Sequence, residues 1–191
     1  MLVSRAWHQA NVRDGSGALR RGAWARVDAT RIFQSGFHVS LIGEPTRADR
    51  AGDPVTIDRV SAADAMEDYL DAYVAGWGIA EKDQAQFRVN VRPWLNQAGW
   101  SLYVGRLNGQ PAAAATLFVQ DGIGYLADAT TSPAFRRRGF QSALLRRRIS
   151  DAAAAGADTV FSGAAPFSTS HRNMERIGMR VQFVRSLWTP V

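Results

Sequence analysis

The period of the apolar pattern changes along the chain. Between Met66 and Trp77, apolar residues lie on one face of a 3.6-residue period, which predicts an amphipathic helix. A second helical segment surrounds Phe87, and Pro93 predicts that it kinks or breaks. From Trp100 onward the apolar residues alternate with other residues, which is typical of strands.

Three alternating segments follow one another in this second part: WSLYVGRL, PAAAATLFVQ and IGYLADATT. The sequences NGQ and DG between them are typical of hairpin turns, so we expect an antiparallel meander. VTIDRV predicts an earlier strand. After the meander the pattern predicts a helix from about Arg138 to Gly156, a strand TVFSGAAPF, a short helix over 170–177 and a final strand MRVQFVRSLWTPV.

One residue conflicts with the helical pattern. Arg148 lies inside the apolar stripe of the helix that starts near Arg138. The simpler interpretation is a buried stem whose guanidinium reaches solvent. A buried ion pair is the alternative.

The segment GEPTRADRAGDPV, Gly43 to Val55, is rich in Gly, Pro and charge and has no periodicity. It predicts a linker, with a domain boundary near Asp53. Residues 1–53 would then form an N-terminal extension, and residues 54–191 the main domain.

Composition limits the possible functions. The formal net charge is +6, and Lys82 is the only lysine among 23 basic residues. Such an arginine excess suits phosphate and carboxylate ligands, but it can also reflect base composition of the genome. The chain has no cysteine, which excludes disulfides and thiolate chemistry.

Other features predict a cytoplasmic protein without a metal. The three histidines are far apart and show no metal-ligand spacing. No apolar run approaches the roughly 20 residues that a membrane span requires, and the first residues lack the apolar core of a signal peptide.

The segment TTSPAFRRRGFQSALLRRR concentrates positive charge where a helix begins. A helix N-terminus has unpaired backbone N–H groups and about half a positive charge, and both attract phosphate. Gly139 leaves the backbone accessible, and Arg136 to Arg138 add charge. A solvated basic turn is the alternative.

The pattern Arg136-x-x-Gly139 between a strand and an apolar helix resembles the pyrophosphate-binding motif of GNAT-type N-acetyltransferases. Gln141 stands where that motif usually has Gly or Ala. A second block, STSHRNMERIGMRVQF, resembles the later helix and strand of the same superfamily. The resemblance covers about residues 54–191.

The resemblance implies an α+β fold: a splayed mixed sheet of about six or seven strands flanked by about four helices. It also implies acetyl-CoA as cosubstrate and no metal. The pantetheine arm would pair with the IGYLADATT strand, and Asn173 would contact its far side. The implied CoA-binding residues are Ala129, Thr130, Thr131, Arg136, Arg137, Arg138, Gly139, Phe140, Gln141, Ser142, Ser170 and Asn173.

The implied reaction is direct attack of a neutral primary amine on the thioester, whose oxygen the backbone amide of Ala129 would polarise. Many relatives protonate the leaving thiolate with a tyrosine after the asparagine, and this chain has none there. Strand alternation predicts that Tyr125 shares the cleft-lining face with Ala129. Tyr125 is therefore the candidate proton-handling residue, or alternatively an aromatic wall.

We expect the acceptor to be a small amine or amino-acid-like molecule held between Trp77 and Tyr125, because an aromatic face attracts cations. A core position for Trp77 is the alternative. Two other functions stay open: a catalytically weak acetyl-CoA-binding module, and a basic nucleic-acid-binding protein, which lacks a recognition motif. A homodimer is a further expectation. RIFQSGFHVSLIGEP resembles the later block in having a helical end, a glycine, an apolar residue and an extended strand. Residues 1–53 are therefore either the remnant of a first module of the same kind or only coincidentally similar to one.

Overall fold

The computed structural model describes residues 32–46, 55–61 and 63–190. Its strands are β1 (Ile32–Gly43), β2 (Thr56–Arg59), β3 (Trp100–Leu107), β4 (Gln110–Gln120), β5 (Ile123–Thr131), β6 (Thr159–Ala164) and β7 (Arg180–Pro190). The helices are α1 (Ala63–Trp77), α2 (Glu81–Val91), α3 (Phe140–Ala154) and α4 (Thr169–Arg176). Short 3₁₀ turns cover Arg92–Asn96 and Pro133–Phe135.

The described strands form one mixed sheet in the order β2-β3-β4-β5-β6-β1-β7. The meander from β3 to β5 is antiparallel, and β5 pairs with β6 in parallel. Both hairpin turns follow the sequence signals, because Asn108 and Gly109 have φ of 50° and 81°, and Asp121 and Gly122 have φ of 50° and 76°. The predicted mixed α+β sheet with four helices is confirmed.

Two apolar cores lie on opposite faces of the sheet. On the α1 face, Tyr69, Leu70 and Tyr73 pack with residues of α2 and β3. On the α3 face, Leu144 and Leu145 pack with residues from β4 to β6, β1 and α4. The predicted break at Pro93 is also present, as the change from α2 to a 3₁₀ turn.

The structure of β1 differs from what the sequence analysis predicted for this segment. Residues from Ile32 onward form a strand, so the helical end expected before Gly36 is wrong. β1 lies between β6 and β7 and pairs antiparallel with β6, with Val39 opposite Ala164. A strand that precedes the boundary near Asp53 therefore belongs to the same sheet as the main domain.

Some sequence expectations fall outside the described residues. These are the chain before Ile32 and most of the linker. The origin of residues 1–53 as a first module stays a prediction. None of the helices in the described ranges combines the length and apolar character needed to cross a bilayer.

Candidate functional site

The sheet opens where β5 and β6 diverge. Their parallel pairing covers only Ile123–Tyr125 and Thr159–Phe161, although both strands continue. At the point of separation, Ser162 Oγ donates a hydrogen bond to the carbonyl of Leu126 at 2.8 Å. Beyond this link, the β6 side of β5 faces an opening where an extended ligand can pair with the strand.

A bulge in β5 lies beside this opening. Thr116 pairs with Ala127 and Ala114 with Thr130, so Asp128 and Ala129 together face a single residue of β4. Asp128 has φ of 48°, a left-handed conformation that is uncommon for a residue other than glycine. The bulge therefore turns the main chain at the predicted thioester position.

The bulge corrects one prediction, because it interrupts strand alternation. Ala129 packs against the α3-face core, as Leu126 does. Tyr125 precedes Leu126 and projects from the opposite face. Tyr125 and Ala129 therefore do not share a face.

Asp128 is the acidic residue within the bulge, and the sequence analysis missed it. Its carboxylate lies close enough to the Tyr73 hydroxyl of α1 for each group to affect the pKa of the other. Burial raises the pKa of Asp128, while the nearby charge of Arg148 acts in the opposite direction. The sequence feature that could have identified Asp128 is its position as the one charged residue in the strand IGYLADATT.

Arg148 corrects a second prediction. Its side chain is 1% exposed, so its guanidinium does not reach solvent. It donates to the carbonyls of Leu144 at 3.1 Å, Thr116 at 2.9 Å and Ala127 at 2.9 Å. The last two flank the β5 bulge, so a buried cation on α3 holds the bulge through backbone carbonyls.

The loop before α3 has the geometry of an anion-binding helix start. Gly139 is the N-cap residue with φ of 88°, and no side chain caps the helix there. The first N–H groups of α3 are therefore available to a ligand. Arg137 also has a left-handed backbone with φ of 62°, and Arg136 Nε donates to the carbonyl of Thr131 at 3.3 Å.

Gln141, the departure from the family motif, links the two halves of the predicted CoA site. Its Nε2 donates to Ser170 Oγ at 2.5 Å, and its Oε1 accepts from Asn173 Nδ2 at 3.3 Å. Asn173 Oδ1 accepts from Arg176 at 2.6 Å. The structure thus brings together three residues that the resemblance selected, and it explains the glutamine as a bridge between α3 and α4.

The two predicted acceptor residues lie on the α1 face. Trp77 ends α1 and is 54% exposed, so it is not a core residue. Its ring lies 6.2 Å from that of Tyr73. Tyr125 is 43% exposed and stacks against Phe161 of β6 at 5.4 Å. Burial raises the pKa of the Tyr125 hydroxyl, so it is protonated at neutral pH.

No group of acidic, histidine or cysteine side chains in the described ranges is arranged to hold a metal ion. The candidate groups on the bulge and on the α1 face are instead the carboxylate of Asp128, the Tyr125 hydroxyl, the Trp77 ring and backbone amides. This set suits proton transfer and hydrogen bonding to a polar organic ligand.

Comparisons with known proteins show the family of this chain and the proteins that share its fold. The sequence model of the Acetyltransferase (GNAT) domain matches residues 43–167. Comparison with curated protein sequences finds no match.

Similar solved structures include two GCN5-related N-acetyltransferases. The one from Kribbella flavida has a TM-score of 0.61 and 18% identity, over 88% of this chain and 62% of that one. The one from Sphaerobacter thermophilus has a TM-score of 0.67 and 15% identity, over 88% and 56%. This chain therefore spans less than two thirds of either structure.

A third structure is that of AAC(6')-Iy in complex with the bisubstrate analogue CoA-S-monomethyl-acetylneamine. It has a TM-score of 0.53 and 17% identity, over 69% of this chain and 97% of that one. These likenesses concern the fold, whereas the sequence match covers most of the described main domain and includes β1's last residue, the β5 bulge and the Gly139 loop. The chain belongs to the GNAT acetyltransferase family.

Proposed function

We propose that the protein transfers an acetyl group from acetyl-CoA to a primary amine of a small molecule by direct attack. The observation that carries this proposal is the early end of the β5–β6 pairing, beside the β5 bulge, together with the uncapped start of α3 that follows β5 in the chain. The free edge of β5 and the start of α3 would thus bind two parts of one extended ligand.

The chain's own groups fit such a ligand. The free edge of β5 from Ala129 to Thr131 would pair with the pantetheine amides. The first N–H groups of α3 and the side chains of Arg136 to Arg138 would hold the pyrophosphate. Gln141, Ser170 and Asn173 would line the other side of the arm.

Acetyl-CoA would supply an activated acyl group, so the protein needs no nucleophile of its own. The amide of Ala129, at the bulge, would donate a hydrogen bond to the thioester oxygen. Asp128 would accept a proton from the acceptor ammonium, directly or through water, because its pKa is raised and its side chain faces Tyr73 on the α1 side. Tyr125, protonated at neutral pH, would hydrogen-bond the acceptor or return a proton to the departing thiolate.

The exposed rings on the α1 face support a small amine acceptor. Trp77 presents an indole face, and Tyr125 with Phe161 forms a second aromatic surface. AAC(6')-Iy, a relative of similar fold, was solved with an analogue that joins CoA to acetylneamine, so the fold accommodates amine substrates.

Two glycines, one on each side of α3, provide a matched test of cosubstrate binding. Gly139 and Gly156 flank the helix with φ of 88° and 80°, so valine at either position adds similar backbone strain. Only position 139 lies on the proposed path of the pyrophosphate. We expect Gly139→Val to lower CoA affinity at least tenfold and Gly156→Val to leave it within about twofold, as measured by calorimetry.

Saturating acetyl-CoA, at ~100 times its dissociation constant, should also stabilise the wild-type fold by about 2.7 kcal/mol. Release of free CoA with a panel of amines then tests transfer. Equal loss of CoA affinity in both valine variants would contradict the assigned site. Binding without CoA release for any amine would favour the binding-module alternative, and binding of DNA without binding of CoA would favour the nucleic-acid alternative.

A further inference from the structure

His38 of β1 lies beside the opening in the sheet. β1 runs antiparallel to β6, and the His38 ring covers Gly163, where an added methyl group would lie 2.5 Å from the ring's Cε1. Gly163 follows Ser162, the residue that marks the separation of β5 and β6. By alternation, Gly163 faces the same side as Phe161, the partner of Tyr125. The imidazole therefore borders the proposed acceptor side.

Arg185 of β7, the strand next to β1, contacts this ring. Its Nη2 lies 3.4 Å from His38 Nδ1, and its guanidinium carbon lies 6.0 Å from the centre of the Phe183 ring. Its positive charge also acts on Tyr125, so the guanidinium is close enough to the acceptor side to matter electrostatically. His38 and Arg185 thus form a row of nitrogen donors from the sheet edge to the opening.

The donors of this row are incompletely satisfied. Arg185 Nε is buried and has no hydrogen-bond partner, and no carboxylate in the described part of the chain forms an ion pair with this arginine. Ser40, two residues after His38 and on the same face, has a buried hydroxyl that also lacks a partner. Buried polar groups without partners are unfavourable, and a ligand that supplies acceptors would remove this cost.

The protonation of His38 suits an anionic ligand. Burial and the charge of Arg185 lower its pKa, so the ring is neutral at pH 7. Arg185 can only donate, so Nδ1 accepts and the ring proton lies on Nε2. The pair therefore offers a planar guanidinium and an imidazole N–H, an arrangement that matches the two oxygens of a carboxylate.

We propose that His38 and Arg185 bind a carboxylate of the acetyl acceptor, and that the acceptor is therefore an amino acid or a similar amine acid. This inference rests on the proposed function and narrows its substrate class. The amine would lie near Asp128 and Trp77, and the carboxylate would lie over β6 and β1. A polycationic amine would be disfavoured by the charge of Arg185.

The test compares amino acids with their amides and with an amine that carries a phosphate. Leucine and phenylalanine are paired with leucinamide and phenylalaninamide, and O-phosphoethanolamine provides a phosphate in place of the carboxylate. Release of free CoA gives kcat/KM for each. In parallel, calorimetry measures binding of each amine to the CoA-loaded protein. We expect the wild-type protein to prefer at least one acid over its amide by about tenfold or more.

Arg185→Gln should remove this preference, lowering kcat/KM and affinity for the acid about tenfold to a hundredfold while leaving the amide within about twofold. Arg180→Gln, on the same strand, is the matched control and should change neither. Equal use or equal binding of acid and amide by the wild-type protein would overturn the proposal. So would equal losses for both in Arg185→Gln, or a preference for O-phosphoethanolamine over both acids.

The two readouts separate this inference from the proposed function. If the protein acetylates the amides as well as it acetylates the amino acids, acetyl transfer is established and the proposed carboxylate site is wrong. If no amine releases CoA while calorimetry shows acid-selective binding that needs Arg185, the site is supported and the proposed transfer is wrong.

Discussion

Replacing Arg148 with methionine tests the buried cation that holds the β5 bulge. In the folded protein Arg148 donates three hydrogen bonds to carbonyls, two of them at 2.9 Å to Thr116 and Ala127. Leu144, the third acceptor, lies one turn earlier on the same helix and can still accept the N–H of residue 148. The other two carbonyls lose their charged donor.

Each of those two carbonyls should cost about 1–3 kcal/mol when left without it, which gives a gross loss of about 2–6 kcal/mol. The variant also avoids the desolvation of a buried cation, and this compensates for part of the loss. Methionine is flexible enough to fill much of the vacated volume. We therefore expect Arg148→Met to lower the free energy of unfolding by about 2–4 kcal/mol.

Urea unfolding followed by circular dichroism measures this loss. Arg146→Met is the control, because it removes the same charge from the same helix at a half-buried position, and we expect it to cost less than about 1 kcal/mol. Equal or greater stability of Arg148→Met would refute the reasoning, since it would mean that desolvation of the guanidinium outweighs its hydrogen bonds. The variant should also shift the acidic limb of activity upward, because Arg148 holds down the pKa of Asp128.

Three further predictions follow from the site. Asp128→Asn should lower kcat about 10²–10⁴-fold. The wild-type kcat/KM should fall as the pH drops through the pKa of Asp128, which burial raises above the ordinary aspartate value, because only the carboxylate accepts a proton. A pH profile without this acidic fall would exclude Asp128 as the base. Trp77→Ala should raise the acceptor KM and Tyr125→Phe should lower kcat, each with CoA affinity unchanged; steady-state kinetics that show neither change would remove both residues from the acceptor site. Gly76→Ala should lower the free energy of unfolding by about 1–3 kcal/mol in urea, because the added methyl group would clash with the Thr130 side chain of β5. Gly36→Ala meets open space and should be nearly neutral.

The elements with strong local patterns could be predicted from the sequence. The apolar face of α1 and the hairpin signals at Asn108 and Asp121 depend on neighbouring residues, and both predictions are confirmed. The Gly139 loop was also predicted, because its residues are contiguous. Its left-handed φ explains why a glycine stands there.

Features that depend on distant contacts could not be predicted. The β5 bulge arises from its register with β4, so alternation alone placed Ala129 on the wrong face. The carbonyls that Arg148 binds belong to other strands, so the helical wheel showed an unfavourable arginine without its acceptors. The His38 ring covers Gly163 of β6 only because β1 inserts beside β6.

The insertion of β1 has a consequence for the order of folding. Val39 pairs with Ala164, so this ladder closes a loop over most of the chain, whereas β3, β4 and β5 pair with their neighbours in sequence. Loop closure costs entropy before distant pairs form, and long-range pairing is slow. During refolding, amides of the meander should gain protection from hydrogen exchange before those of β1. The carboxylate end of the acceptor site would then be completed last, after the strand edge that receives the pantetheine arm.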